Sequence, residues 1–292
     1  MVISKIFGGL GNQMFQYAAG RALAMRMETA HLLDISAYDK YQMHQGFELQ
    51  RIFNCPVHMA SGSDLDKVVG LQSSAILLKL LSRPVFSALR KRALVIEPGF
   101  NYWNGISEIN DDCYLVGYWQ TERYFIDAVS LVRSDFNFKL PMNAANIDLA
   151  HTMAGVDSIS LHVRRGDYVA DSRTNKQHGL CSMDYYKSAI RHIIAHVAEP
   201  HFFIFSDDPA WVRKNIGIEY PCCYVDHNSA QESYNDMRLM SMCKHHIIAN
   251  SSFSWWGAWL GSNIDKIIIA PRNWFATGKD VKDLYPDGWV II

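Results

Sequence analysis

The sequence predicts an α/β protein of two lobes, each built on a parallel sheet. Three observations predict it. A length of 292 residues accommodates two domains of ~100–150 residues each. The chain opens in the order strand, glycine turn, helix, strand, and its second half alternates short apolar runs with helical patterns, as chains wound on parallel sheets do.

Residues 2–7 form a β-prone run that meets Gly8-Gly9-Leu10-Gly11. After it, Met14, Tyr17, Ala18, Arg21, Ala22 and Met25 recur at helical spacing. A second strand over 30–33 ends at Asp34, completing a βαβ unit. Residues 40–110 are irregular apart from a strand at 94–96; a strand at 114–116 and a helix at 123–132 follow. Residues 139–146, with Pro141 and alternating Asn and Ala, read as a hinge. Beyond it the spacing predicts strands at 158–163, 202–205, 222–225, 246–249 and 266–270, with helices at 183–197, 210–215, 231–242 and 253–260. The expected domains are 1–145 and 146–292, with the closing segment 277–292 packing back on the first lobe.

Hydrophobic residues make up 49% and charged residues 20% of the chain, which supports packed cores and excludes a disordered composition. Lys plus Arg number 28 against 29 Asp plus Glu, so no cationic excess exists for a nucleic-acid partner. An anionic ligand must be met by a few placed cations. The basic cluster Arg90-Lys91-Arg92 follows an apolar stretch over 75–89 that Lys79, Ser82, Arg83 and Pro84 interrupt. It reads as a solvated helix end, with a peripheral contact to a membrane surface as the alternative. No signal-peptide pattern opens the chain, and a cytoplasmic location, extending to the inner face of the membrane, is expected. Six cysteines without a C-x-x-C pair are expected as reduced thiols, and no spacing suits a protein-held metal.

Ligands of open parallel sheets sit beyond the carboxyl ends of strands, and three such ends are polar. In H-V-R-R-G-D, His162 to Asp167, a strand runs into Arg164 and Arg165, whose guanidinium groups can fork phosphate oxygens; an Arg–Asp surface pair is the plainer alternative. In F-S-D-D-P, Asp207 can accept from a guanine edge, or the carboxylates can serve as helix caps. In A-N-S-S-F-S-W-W-G, Ser251, Ser252, Phe253 and Ser254 open a helix whose amides and dipole favour an anion, or cap it and no more. Arginines, a carboxylate and a helix start at the strand ends of one sheet together suggest a nucleoside-diphosphate site. The opening turn has Met14 where a dinucleotide fingerprint needs glycine and lacks G-K-[ST]. Asn12 and Gln13 can instead offer side-chain amides to phosphate or sugar oxygens.

The ordered set G-G-L-G-N-Q-M-F-Q, G-Y-W-Q-T-E-R-Y-F, H-V-R-R-G-D-Y, F-S-D-D, I-I-A-N-S-S-F-S-W-W-G and L-Y-P-D-G-W resembles the α-1,2-fucosyltransferases of glycosyltransferase family 11. That resemblance implies a GT-B-like fold, two Rossmann-like lobes whose parallel sheets face a cleft. It implies metal-independent, inverting transfer of L-fucose from GDP-β-L-fucose to the 2-hydroxyl of a terminal galactose, on an oligosaccharide or a lipid-linked glycan, with no cofactor. By the same resemblance Arg164 binds the β-phosphate and is catalytic, His162 and Asp207 face guanine, Ser251 to Ser254 with Phe253 cradle phosphate, and Asn12 lies near phosphate or fucose. Arg165 belongs to the same donor site. The general base stays unassigned among Glu97, Asp34 and Glu122. A glycan-binding module using the 8 Trp and 14 Tyr, and a nucleotide-cofactor oxidoreductase, are the competing readings.

Overall fold

The computed structural model describes residues 1–39, 45–166, 176 and 179–292. They form two compact units, Met1–Lys139 with Lys282–Leu284, and Leu140–Val281 with Tyr285–Ile292.

The first unit holds a four-stranded sheet of β1 (Val2–Lys5), β2 (His31–Asp34), β3 (Leu94–Ile96) and β4 (Cys113–Val116), in the order β2-β1-β4-β3. Every pairing is parallel. Helix α1 (Leu10–Arg26) buries thirteen of its 17 residues, so it lies inside the unit rather than on it. Close approach to the sheet is possible because residue 20 is glycine: a Cβ there would stand 2.0 Å from Ser4 Oγ and 2.4 Å from His31 Nε2. Short helices α2 (Leu49–Ile52), α3 (Gly62–Val68) and α4 (Ala75–Leu81) fill the irregular stretch. The helix expected at 123–132 starts later. Thr121 and Phe125 open two single 3₁₀ turns, and α5 spans only Val129–Asp135.

The second unit carries a six-stranded sheet of β5 (Asp157–Val163), β6 (Pro200–Ser206), β7 (Cys222–Val225), β8 (His245–Ile247), β9 (Ile268–Ala270) and β10 (Val290–Ile291). Its order is β10-β9-β8-β5-β6-β7, parallel throughout. From β5 the chain winds outward to β7, then returns to the other side of β5 to lay down β8. The order therefore reverses between β5 and β8, and that switch point is where doubly wound sheets open a crevice beyond their strands.

Both faces of this sheet are covered. Ile159, Leu161, Val163 and Ile204 pack against Tyr186, Ala189 and Ile193 of α7 (Met183–Ile194) and Val212 of α8 (Pro209–Asn215). On the opposite face Phe203, Phe205 and Val225 meet Met153 of α6 (Ala144–Ala154) and Leu239 and Met240 of α9 (Tyr234–Met242). Strands buried on both sides become apolar runs instead of alternating ones, which is why they stand out in the sequence. The run read as a hinge is in part a helix start: Asn143 accepts from the Asn146 amide at 2.9 Å and caps α6.

Candidate active site at the sheet switch point

The register of the second sheet assembles the site. Val163 pairs with Ser206, so the residues leaving β5 and β6 emerge side by side. Asp207 lies between the two arginines: Oδ2 is 3.0 Å from Arg164 Nη1, and Oδ1 accepts the Arg165 backbone N–H at 2.8 Å. Arg165 lays its guanidinium over the Trp211 ring, 3.7 Å from the centroid, a contact worth about 0.5–2 kcal/mol. Its Nε is buried and lies 3.5 Å from Asp208 Oδ2, an ion pair too long for a hydrogen bond. Asp208 also caps α8, accepting from the Trp211 amide at 3.1 Å. Asp207, expected at the guanine edge, thus turns its oxygens to the arginines. Asp167 lies outside the described residues.

Beside this pair, across the switch point, β8 runs into Asn250 and helix α10 (Ser252–Leu260). Asn250 is buried, with Nδ2 donating to Gly179 O and Trp274 O at 3.2 and 3.3 Å, and it ties the turn to two other segments. Ser251 stands at the cap position, yet its side chain accepts no capping hydrogen bond, and the helical ladder begins with Trp255 N–H to Ser251 O. The ladder thus starts at Trp255, and the positive end of the α10 dipole lies just beyond the end of β8. Ser254 differs from its neighbours: fully buried, its hydroxyl donates back to Ser251 O at 3.2 Å.

His162 joins the two halves, its ring centroid 6.0 Å from that of Phe253 in the first turn of α10. Burial first, and then the nearby Arg164 charge, lower its pKa to about 3, so the imidazole is neutral in ordinary buffers. Its Nδ1 is buried with no hydrogen-bond partner among the described residues.

Next to the arginine cluster the end of β7 feeds a polar network. Asn146 and Asn228 exchange side-chain hydrogen bonds of 2.8 and 3.1 Å, and Asn228 Nδ2 donates to Asp236 Oδ1 at 2.7 Å. Burial pushes the Asp236 carboxyl up to about 7, with the Asn228 bond opposing it. The folded protein thus keeps a proton that the unfolded chain releases near pH 3.8, and stability falls as pH rises from there to about 7. Asp236→Asn is expected to raise the melting temperature at pH 8 and to leave it nearly unchanged at pH 4; equal shifts at both values would rule out the buried proton.

In the first unit Asn12 lies in the first turn of α1, and its Oδ1 accepts from Gln120 Nε2 at 2.6 Å, linking the turns after β1 and β4. Gln13 is instead consumed by the fold, donating to Gly8 O and Gly46 O and accepting from the Glu48 amide. Glu97, at the end of β3, accepts from the amides of Tyr118 and Trp119 at 2.7 and 3.1 Å and holds a turn in which Trp119 has φ 56°. Burial of Asp34 opposes its ionisation, but Lys5, Tyr114 and the Ser36 amide outweigh it and the pKa is lowered, which makes Asp34 a weak proton acceptor. Trp211 was not singled out by the sequence, and Gln120 stood only inside the motif G-Y-W-Q-T-E-R-Y-F with no role of its own, because no spacing marks a partner that only folding supplies.

Residues 106–292 match the model of glycosyl transferase family 11. The chain belongs to glycosyl transferase family 11. Similarity within the family extends over its whole length: the chain is 34% identical to an Escherichia coli α-1,2-colitosyltransferase, covering 100% of this chain and 99% of that one. It is 35% identical to the Escherichia coli O-antigen biosynthesis glycosyltransferase WbnK, covering 98% and 99%. A Bos taurus galactoside 2-α-L-fucosyltransferase SEC1 matches at 34% over 35% of this chain and 28% of its own. Among solved structures, the NodZ α-1,6-fucosyltransferase co-crystallised with GDP superposes with a TM-score of 0.54 at 16% identity, covering 89% and 91% of the two chains. At that identity the likeness establishes the GT-B-like fold of this family 11 chain. The competing oxidoreductase reading is set aside by the family, which is one of glycosyltransferases.

Proposed function

We propose that this glycosyltransferase transfers L-fucose from GDP-β-L-fucose to the 2-hydroxyl of a terminal galactose, with inversion. The observation that carries the reading is that the paired strands β5 and β8 end in complementary groups, Arg164 and Arg165 after β5 and the first turn of α10 after β8, with His162 and Phe253 in contact between them. Such a set of donors suits a diphosphate leaving group. The co-crystallised GDP of NodZ, a protein of the same fold, and the galactoside specificity in the name of the Bos taurus relative support donor and acceptor class. The acceptor is a galactose-terminated oligosaccharide or a lipid-linked glycan.

Inverting transfer brings the acceptor oxygen to the anomeric carbon opposite the departing GDP. Negative charge grows on the diphosphate as the glycosidic bond breaks. Arg164, oriented by Asp207, and the α10 amides are placed to meet that charge as it forms, which lowers the barrier without reorganisation. His162, neutral and with an unused Nδ1, can accept from or donate to the bound nucleotide. Among the candidate bases, Glu97 has a carboxylate already fixed in place, and removing the acceptor proton is assigned to no residue.

A second reading follows from the full-length similarity to the colitosyltransferase: colitose is fucose without its 3-hydroxyl, and the same cradle would serve GDP-colitose. Comparing kcat/KM for the two donors with one β-galactoside acceptor decides between them, and linkage analysis of the product tests the 2-position. Product formed from neither donor would overturn the proposal. Since Asp207 and Asp208 are engaged by arginines and a helix start, transfer is expected to continue in excess EDTA. Reversible loss of all activity on chelation would reassign these carboxylates to a metal.

A further inference from the structure

Residues 70–96 of the first unit carry five cations, Lys79, Arg83, Arg90, Lys91 and Arg92, and no acidic residue, in a chain whose net charge is −1. The same segment turns large apolar side chains outward. Leu71, Ile76 and Val85 are 81%, 83% and 79% exposed, and Leu80 and Leu89 are exposed as well. These are not core residues that have slipped: α4 sends Leu78 and Leu81 inward to Ile3, Val68 and Tyr114, while Ile76 and Leu80, one turn apart, share the opposite side.

Three short elements form this surface together. Gln72 bonds to Leu89 O and to the Lys91 amide, which fastens the 3₁₀ turn Gly70–Ser73 to the end of the 3₁₀ turn Pro84–Leu89. Arg90 Nε donates to Leu81 O at 2.8 Å and closes the segment on α4. Leu71 precedes Gln72 and Leu89 accepts from it, so the two exposed leucines lie on the segments that this bond joins, with Lys91 and Arg92 following in the chain. Among the described residues no helix is long and apolar enough to cross a membrane.

We propose that this surface docks the enzyme on an anionic lipid bilayer, with Leu71, Ile76, Val85 and Leu89 entering the headgroup boundary and Lys79, Arg83, Lys91 and Arg92 meeting lipid phosphates. The pairing of exposed apolar side chains with a segment of unmixed positive charge favours an anionic bilayer over a protein partner, since apolar insertion and phosphate contact act at the same depth. The inference stands apart from the donor sugar, because none of these residues belongs to the nucleotide site.

The test is flotation of the full chain with vesicles of phosphatidylcholine alone and of phosphatidylcholine mixed with phosphatidylglycerol. Binding is expected to the mixed vesicles and to weaken with salt. Lys79→Gln, Arg83→Gln and Arg92→Gln together are expected to lower partitioning on the order of 100-fold, each cation contributing about fivefold. Ile76→Ser with Val85→Ser should also lower it, leaving melting temperature and transfer to a soluble galactoside as in the parent. Sedimentation of the same proteins without lipid reads self-association. Equal binding to both vesicle types, no binding to either, or a dimer that the serine variant abolishes in the absence of vesicle binding would each overturn the proposal.

Discussion

Arg164→Ala is expected to reduce turnover on the order of 10³-fold, the scale set by removing a fixed donor from a developing negative charge. The guanidinium is held 3.0 Å from Asp207 Oδ2 at the end of β5, so it needs no rearrangement as the leaving group acquires charge. Arg164→Lys should recover only part of the rate, because an ammonium cannot fork two phosphate oxygens. Neither change removes core packing, and melting should move by no more than about 3 °C, corresponding to ~1 kcal/mol. An alanine variant with parental kcat and parental melting behaviour would remove Arg164 from the mechanism.

Asp207→Ala is expected to act through the arginines, lowering kcat about 10–100-fold as a misplaced donor does. It removes one partner each from the Arg164 guanidinium and the Arg165 amide. Combined with Arg164→Ala it should add little, since residues acting as one unit do not add. Preference for guanine is expected to survive, which competition by GDP, ADP and UDP measures directly. If the variant lost that preference while keeping parental kcat, Asp207 would belong against the base, as the family resemblance implied, rather than behind the arginines.

The strands were legible because a parallel sheet covered on both faces leaves apolar runs that end abruptly in polar clusters. The reading 222–225 coincides with Cys222–Val225, and 202–205 falls inside the longer Pro200–Ser206. Helix α4 was read only as a helix end within the apolar stretch 75–89, and the reason is physical: Ile76 and Leu80 face outward while Leu78 and Leu81 face inward, so the apolar spacing carries two faces at once. The start of α6 was misread because Asn suits a connection and a helix cap equally well.

Local sequence determined which residues could meet a phosphate: arginine after a strand and small hydroxyl residues before a helix have that chemistry wherever they fold. Only the tertiary structure decided which of them act together. Pairing of Val163 with Ser206 set Asp207 against Arg164, and placement of β8 next to β5 brought Phe253 to His162. A strand's own residues specify its faces but not its neighbour; the neighbour is chosen by how the intervening helices pack across the whole sheet.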